Sequence, residues 1–190
     1  MEIANSVMPK RDLILFAGMM GTGKSTVGVR LARKLKWNFV DLDEEIEVDI
    51  SSSISSYISS LGEQAFRSLE AEILKKTLQK DRPLIVALGG GTLISMENQE
   101  LVRQHKAFVI WLDVNLESIL VRLTKDTEQE VQKRPLLKES DLRNSLKERM
   151  DQRRTGYELS SNVRIDCSNL TVDETVNRAM KIVLSGDEFN

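Results

Sequence analysis

The stretch Gly18-Met-Met-Gly-Thr-Gly-Lys-Ser25 decides the fold of this 190-residue chain. It matches the pattern G-x-x-x-x-G-K-[ST] and follows the apolar run Leu13–Ala17, as expected for a phosphate-binding loop between a buried strand and a helix. Glycines let consecutive backbone N–H groups turn toward a phosphate, and the next helix presents its positive dipole end to the same anion. Lys24 would reach the β- and γ-phosphates of ATP, and the Ser25 hydroxyl would bind Mg²⁺. A glycine turn beside a surface lysine is the alternative, which the strand–loop–helix context disfavours.

Strand-like and helix-like segments alternate along the chain, which is typical of a parallel sheet with crossover helices. Strands are predicted at residues 13–17, 38–41, 84–88, 108–113 and 163–166, and helices at residues 25–35, 116–123, 138–157 and 171–184. The serine-rich stretch 51–60 keeps helical spacing of its apolar residues and predicts a small helix. Residues 124–133 are charged and lack periodicity, so we expect a mobile loop there. The length and the pattern predict one α/β domain over residues 1–190.

The composition excludes several classes of function. A net charge of −2 with 41% hydrophobic residues offers no electrostatic reason to bind nucleic acid or an anionic membrane. The single histidine, His105, excludes a metal site built from histidines, and the single cysteine, Cys167, excludes an intramolecular disulfide framework. No segment resembles a membrane span or a signal peptide, and no long apolar stripe is left over for a partner chain. We therefore expect a cytoplasmic protein, and a monomer.

Two carboxylates, Asp41 and Asp43, lie where the second predicted strand ends. Ligands of open α/β sheets bind beyond the carboxyl ends of the strands, so one carboxylate could hold a Mg²⁺-bound water while the other accepts a proton from a substrate hydroxyl. Acidic residues that favour the N-terminus of the next helix explain the pair equally well.

Glu63, Arg67 and Glu70 fall on one side of the following predicted helix. An arginine whose guanidinium is held by carboxylates near a cleft is oriented for a bidentate contact with a substrate carboxylate. The third strand then runs into Gly89-Gly90-Gly91, where bare backbone could approach a ligand closely, although three glycines are also compatible with a tight turn.

Arginines near the end of the charged segment are candidates for neutralising charge in phosphoryl transfer. Arg134 begins Arg134-Pro-Leu-Leu137, and the next helix carries Arg149, Arg153 and Arg154. For Arg149 and Arg154 a solvated basic helix face is the better explanation.

Taken together, these motifs resemble the shikimate kinase family, and in the family's order. They are the phosphate loop, Asp41-Leu-Asp43, Gly62-Glu63 with Phe66-Arg67 and Glu70, the three glycines, Arg134-Pro-Leu-Leu137, and Arg153 four residues before Tyr157. The matches extend from about residue 13 to 170. The resemblance implies a three-layer P-loop kinase fold like that of nucleoside monophosphate kinases, with five parallel strands in the order 2-3-1-4-5. It also implies a substrate-binding subdomain near residues 43–80 and a lid near residues 123–137.

The resemblance implies that this chain is an ATP-dependent phosphotransferase with Mg²⁺ as cofactor. It would phosphorylate the 3-hydroxyl of shikimate, in the chorismate pathway to aromatic amino acids. Lys24, Asp43 as base and Arg134 from the lid would be catalytic, and Ser25 with Asp41 (through water) would hold the metal. ATP would bind at Gly21, Thr22, Gly23, Lys24, Ser25, Thr26 and Arg134, with residues 166–170 bordering adenine. Shikimate would bind at Asp43, Arg67, Gly89, Gly90 and Arg153, with Glu70 orienting Arg67.

Three features depart from the family pattern. Ser51-Ser52 replaces a Thr-Gly turn, Thr155-Gly156 replaces Pro-Leu before Tyr157, and the lid segment is longer and more acidic than is common. None removes a residue with an implied catalytic role. The alternatives are another small-molecule kinase, such as a gluconate-kinase-like or nucleotide kinase, and a non-catalytic nucleotide-binding regulator. The first does not predict the acceptor motifs, and the second should have lost some of these residues.

Overall fold

The computed structural model describes residues 11–127 and 139–185. The strands are β1 (Leu13–Ala17), β2 (Asn38–Asp41), β3 (Leu84–Ala87), β4 (Phe108–Asp113) and β5 (Val163–Asp166). The helices are α1 (Lys24–Leu35), α2 (Leu42–Ile50), α3 (Ile54–Leu78), α4 (Met96–Gln104), α5 (Leu116–Thr127), α6 (Glu139–Ser160) and α7 (Val172–Ser185), with a 3₁₀ turn at Thr92–Ile94. The five predicted strands are confirmed; β3 ends one residue earlier than expected.

All four strand pairings are parallel, and the strand order is β2-β3-β1-β4-β5. Leu15 of β1 lies opposite Val86 of β3 on one side and Val109 of β4 on the other, so β1 is the central strand. β1 and β3 are buried along their whole length, whereas the edge strands β2 and β5 are partly open. Continuous apolar runs in the centre are what a parallel sheet covered on both faces requires. The predicted order 2-3-1-4-5 is confirmed.

Helices cover the sheet in two groups. α1 packs against α7, while α3 packs against α4, α4 against α6, and α5 against α6. Because the central strands are buried on both faces, the two groups enclose the sheet as the outer layers of a three-layer sandwich. This arrangement brings the ends of β1, β2 and β3, with the loops that follow them, to one edge of the sheet, where the site lies.

The connection from α2 into α3 shapes the segment after β2. Ser51 ends α2 in the left-handed conformation (φ 50°), at the position where the family has a Thr-Gly turn. The Ser53 hydroxyl then caps α3 by accepting from the Ser56 N–H at 3.1 Å. Gly62 interrupts α3 with φ 86° and ψ 163°, so the predicted serine-rich helix and the helix carrying Arg67 join at a kink.

The prediction that residues 124–133 form a loop is wrong for its first part. α5 continues to Thr127, beyond its predicted end at residue 123. A helix closes its own backbone hydrogen bonds and can extend past its apolar stripe, so a loss of apolar periodicity does not by itself mark the end of a helix. The rest of the predicted lid, including Arg134, lies outside the described residues. Of the helices described, none is long and apolar enough to cross a membrane.

Candidate active site

The loop between β1 and α1 is folded by its glycines. Gly18, Gly21 and Gly23 have φ values of 143°, 75° and 91°, which residues with a side chain rarely adopt. The Thr22 hydroxyl closes the loop by donating to the Met19 carbonyl at 2.8 Å. Gly23 precedes α1 without a side-chain cap, and the first turn of α1 contains no acidic residue. The first N–H groups of α1 therefore remain available to an anion.

Lys24 points back into this loop. Its Nζ donates to the carbonyl oxygens of Gly18 and Met19 at 2.9 and 3.0 Å. Burial lowers the pKa of Lys24 to about 8; the carboxylates of Asp43 and Asp41 oppose this shift, and Arg153 adds to it. A bound phosphate would favour the ammonium form and replace one of the carbonyl contacts.

The two residues predicted to hold Mg²⁺ are in direct contact. The Ser25 hydroxyl donates to Oδ2 of Asp41, while Oδ1 of Asp41 accepts from the Asp43 N–H at 3.0 Å. Asp41 is the N-cap of α2 and also contacts the phosphate loop, so the role at the helix N-terminus is confirmed while the metal role stays a prediction. A hydroxyl beside a carboxylate is an oxygen donor set that suits Mg²⁺.

A cavity of about 540 Å³ opens beside the phosphate loop. Residues 20–27 form its base, and Asp43, Arg122, Leu170 and Val172 contribute to its walls. Arg122 of α5 donates to the Cys167 carbonyl at 2.8 Å and more weakly to the Gly21 carbonyl at 3.4 Å, so it ties the loop after β5 to the phosphate loop. Of residues 166–170, which were predicted to border adenine, Leu170 lines this cavity.

A second cavity, of about 650 Å³, lies elsewhere and contains none of the predicted site residues. Its lining includes Phe108, the first residue of β4, and Asn162, just before β5. It therefore lies toward the amino ends of these strands, away from the edge where parallel sheets bind ligands. Size alone would have indicated the wrong cavity.

Asp43 stands in the first turn of α2, facing the cleft beyond β2 and β3. Although solvent still reaches it, desolvation by the surrounding protein raises the pKa of Asp43 to about 6. The negative charges of Asp41 and Glu70 raise it further, and Lys24 opposes them. A carboxylate with a pKa near neutrality is better suited to accept a proton than an ordinary aspartate.

Arg67 is held by two carboxylates on α3. Its Nη1 donates to Glu70 Oε2 at 2.8 Å, and its Nη2 donates to Glu63 Oε1 at 2.9 Å. Glu63 is exposed and contributes little, whereas Glu70 is 1% exposed and receives a second hydrogen bond from the Thr92 hydroxyl at 2.8 Å. The contact between Glu70 and Arg67 implied by the family resemblance is present in the structure.

Arg153 approaches from α6, which is anchored to the loop after β3. The Tyr157 hydroxyl donates to the Gly90 carbonyl at 2.5 Å. Burial raises the pKa of Tyr157 to about 12, so its hydroxyl remains protonated and able to donate. At Gly156, an added Cβ would lie 2.3 Å from the Leu93 carbonyl oxygen, so the departure Thr155-Gly156 lets α6 pack closely on the 3₁₀ turn.

The glycine triplet explains how these side chains come together. A Cβ on Gly89 would lie 2.6 Å from Asp43 Oδ1, and one on Gly90 would lie 2.8 Å from Arg153 Nη1. A Cβ on Gly91 would lie 2.8 Å from Arg67 Nη1. Each glycine therefore leaves room for a different predicted acceptor-binding side chain, and the triplet is more than a tight turn.

Two arginines lie away from this cluster, as predicted. Arg149 and Arg154 are exposed on α6, and Arg154 pairs with Glu158 at 2.8 Å on the solvent side.

Thr26, which was predicted to bind ATP, is exposed in the first turn of α1 and lines the cavity beside the phosphate loop.

Two residues were missed by the sequence analysis, Arg122 and Thr92. Arg122 precedes the lid segment but lies off the apolar stripe of α5, and Thr92 looks like an ordinary residue after a turn. Their contacts are with residues distant in sequence, so no local pattern identifies them.

Comparisons with known proteins agree with this geometry. The family model for shikimate kinases matches residues 20–184. A shikimate kinase of Prochlorococcus marinus is 41% identical over 145 residues, covering 76% of this chain and 73% of the relative. One of Rippkaea orientalis is 35% identical over 170 residues, covering 90% and 87%. The solved shikimate kinase of Acinetobacter baumannii in complex with shikimate superposes with a TM-score of 0.82 at 27% identity, covering 94% of this chain and 96% of that one. Since the family model matches residues 20–184 and relatives more than 30% identical are matched over most of their length, this chain belongs to the shikimate kinase family.

Proposed function

We propose that this chain transfers the γ-phosphoryl group of ATP to the 3-hydroxyl of shikimate, giving shikimate 3-phosphate and ADP. The observation that carries the proposal is the convergence of Asp43, Arg67 and Arg153 on the glycine triplet, next to the phosphate loop. Membership of the shikimate kinase family supports both the donor and the acceptor. The enzyme would act in the chorismate pathway to aromatic amino acids.

In this mechanism the donor is held by residues 21–26. The N–H groups of the loop and the N-terminus of α1 would bind the phosphates, and Lys24 would exchange one of its two carbonyl contacts for a β/γ-phosphate oxygen. Ser25 and, through water, Asp41 would hold Mg²⁺, which when bound would neutralise phosphate charge. Arg134 would add a further positive charge from the lid at residues 123–137, whose functional part lies outside the described residues.

The acceptor is held by side chains. Arg67 and Arg153 would bind the carboxylate of shikimate, because guanidinium groups match a planar carboxylate in charge and shape. Gly89 and Gly90 would border the ring, where any Cβ would collide with Asp43 or Arg153. Asp43, whose pKa is about 6, is ionised at higher pH and would accept the proton of the 3-hydroxyl as the hydroxyl oxygen attacks the γ-phosphorus. The kinked segment at residues 43–80 would form the substrate-binding subdomain.

We further propose that the enzyme works as a monomer in the cytoplasm, over a single domain of residues 1–190. The absence of a candidate membrane helix among the described residues is compatible with that location, and the family's biosynthetic role supports it.

The direct test is ADP release by the purified protein with ATP and Mg²⁺. Shikimate, gluconate and nucleoside monophosphates are supplied in parallel, and the product is identified by mass and by phosphorus NMR. We expect ADP in a one-to-one ratio with shikimate 3-phosphate and no more than background with the other acceptors. ADP release that does not depend on shikimate, or that gluconate supports equally, would refute the proposal.

A further inference from the structure

We propose that Thr92 is a positioning residue for the acceptor: its hydroxyl holds the buried Glu70 so that Arg67 keeps its guanidinium aimed at the substrate carboxylate. Thr92 itself would touch no substrate. The inference rests on the proposed function, since it concerns how the same site recognises a carboxylate.

The first observation is how Glu70 is bonded. Glu70 is 1% exposed, and its two oxygens have different partners: Oε2 accepts from Arg67 Nη1 at 2.8 Å, and Oε1 accepts from Thr92 Oγ1 at 2.8 Å. A carboxylate in the interior needs a hydrogen-bond donor on each oxygen, because an unpaired buried acceptor is costly. Thr92 is thus what allows Glu70 to contact Arg67 through one oxygen only.

The second observation is how firmly Thr92 is placed. It is fully buried, and it begins the 3₁₀ turn directly after the glycine triplet. Its N–H donates to the Gly89 carbonyl at 3.2 Å, and its carbonyl accepts from Asn98 Nδ2 at 2.9 Å. The Thr92 hydroxyl has therefore little freedom to point elsewhere, and its single proton is committed to Glu70.

The consequence concerns the N–H groups of Arg67 that would bind the substrate carboxylate. Without the Thr92 donor, Glu70 Oε1 would lack its hydrogen bond, and the Arg67 guanidinium, which already donates to Oε2, is a donor within reach. A two-point pair between Glu70 and Arg67 would turn the guanidinium toward Glu70 and occupy N–H groups that the substrate carboxylate needs. The hydroxyl thus keeps the arginine available, and its loss should weaken acceptor binding without altering the phosphate loop.

The test compares Thr92→Val with Thr92→Ser. Valine keeps the shape and burial but has no donor, while serine keeps the donor. We expect Thr92→Val to raise KM for shikimate on the order of tenfold, with kcat and KM for ATP within about twofold of the starting protein. Thr92→Ser should keep KM for shikimate close to that of the starting protein. An unchanged KM for shikimate, or a loss of kcat of the same size, would overturn the assignment.

The matched control is Thr77→Val. Thr77 is also buried and lies on α3, but its hydroxyl has no hydrogen-bond partner in the described structure. It should leave KM for shikimate unchanged, so a general effect of removing a buried hydroxyl is separated from the specific one. If Thr92→Val does not fold, the comparison passes to Thr92→Ala against Thr92→Ser, with the same expected ratio and the same contradicting outcome.

The route through Arg67 is tested by combining changes. In an Arg67→Ala background, Thr92→Val should cause no further loss in kcat/KM for shikimate, because Thr92 is proposed to act through Glu70 on the Arg67 guanidinium, which is already absent. A further loss as large as in the starting protein would show that Thr92 acts by another path. The starting protein's own rate with shikimate reports on the proposed function, so failure of that function and failure of the Thr92 assignment give different results.

Discussion

The two halves of the cleft are built in different ways. The donor half is a continuous stretch, residues 18–26, which uses backbone N–H groups, glycine conformations and a helix N-terminus. The acceptor half draws single side chains from α2, α3 and α6, and the glycine triplet after β3 gives each of them space. Charge in the first half is mostly backbone dipole, and in the second half it is mostly guanidinium and carboxylate.

The difference predicts that the halves can be damaged separately. A side-chain change in the acceptor half should spare nucleotide binding, because the phosphate loop is folded by its own backbone. Contacts between the halves include Lys24, whose pKa responds to Asp43 and Arg153, and Arg153, whose Nη1 lies 3.8 Å from the Met19 sulfur. The predictions below probe how complete the separation is.

The largest effect is expected for Asp43→Asn. An amide cannot accept the proton of the 3-hydroxyl, so kcat should fall on the order of a thousandfold, while the Kd for ADP stays within about twofold. The folded state raises the pKa of Asp43, so keeping it ionised costs folding free energy above about pH 6, and the variant should melt no lower than the starting protein at pH 8. Steady-state kinetics, calorimetry and thermal denaturation check the three parts. A lost ADP site would place Asp43 in the donor half.

The dependence on pH should show both halves at once. Asp43 must be ionised and Lys24 must be protonated, and their pKa values are about 6 and about 8. We therefore expect kcat/KM for shikimate to fall about tenfold per pH unit below pH 6, and kcat/KM for ATP to fall above pH 8. In Asp43→Asn the acidic limb of the residual activity should disappear. Persistence of that limb would assign it to another group.

A smaller effect is expected for Gly90→Ala. The added methyl group would lie 2.8 Å from Arg153 Nη1, which is the flexible end of a side chain and can shift. We expect KM for shikimate to rise about tenfold, with KM for ATP unchanged, since a misplaced carboxylate contact is worth roughly 1–2 kcal/mol. Initial-rate measurements over both substrates check this. An equal rise in KM for ATP would mean that Gly90 supports the phosphate loop as well.

The same contrast explains what could be predicted from the sequence. The phosphate loop is contiguous, and the apolar runs of the buried strands are unambiguous, so the fold, the strand order implied by the resemblance and the donor half were accessible. The glycine triplet remained open between a turn and a ligand contact, because its purpose is defined by Asp43, Arg67 and Arg153, which reach it only in the folded chain.

Other features had no signal in the sequence. Thr92 and Arg122 act on residues far away along the chain, and neither belongs to a periodic pattern. The extension of α5 from residue 123 to Thr127 was missed because these last residues do not continue the apolar periodicity of the helix. Ser51 takes a left-handed conformation that is uncommon for a residue with a side chain, and only its backbone dihedral angles reveal it. The positions of Arg134 and of most of the lid stay predictions.

The most direct measurement of the separation between the halves is calorimetric titration of Arg153→Ala with ADP and, separately, with shikimate. Arg154→Ala is the control, because Arg154 is next to it on α6 but pairs with Glu158 in solvent. We predict that Arg153→Ala weakens shikimate binding on the order of a hundredfold while the Kd for ADP changes by less than about twofold, and that Arg154→Ala changes neither. Parallel losses of ADP and shikimate binding in Arg153→Ala, or shikimate binding as tight as in the control, would contradict the account.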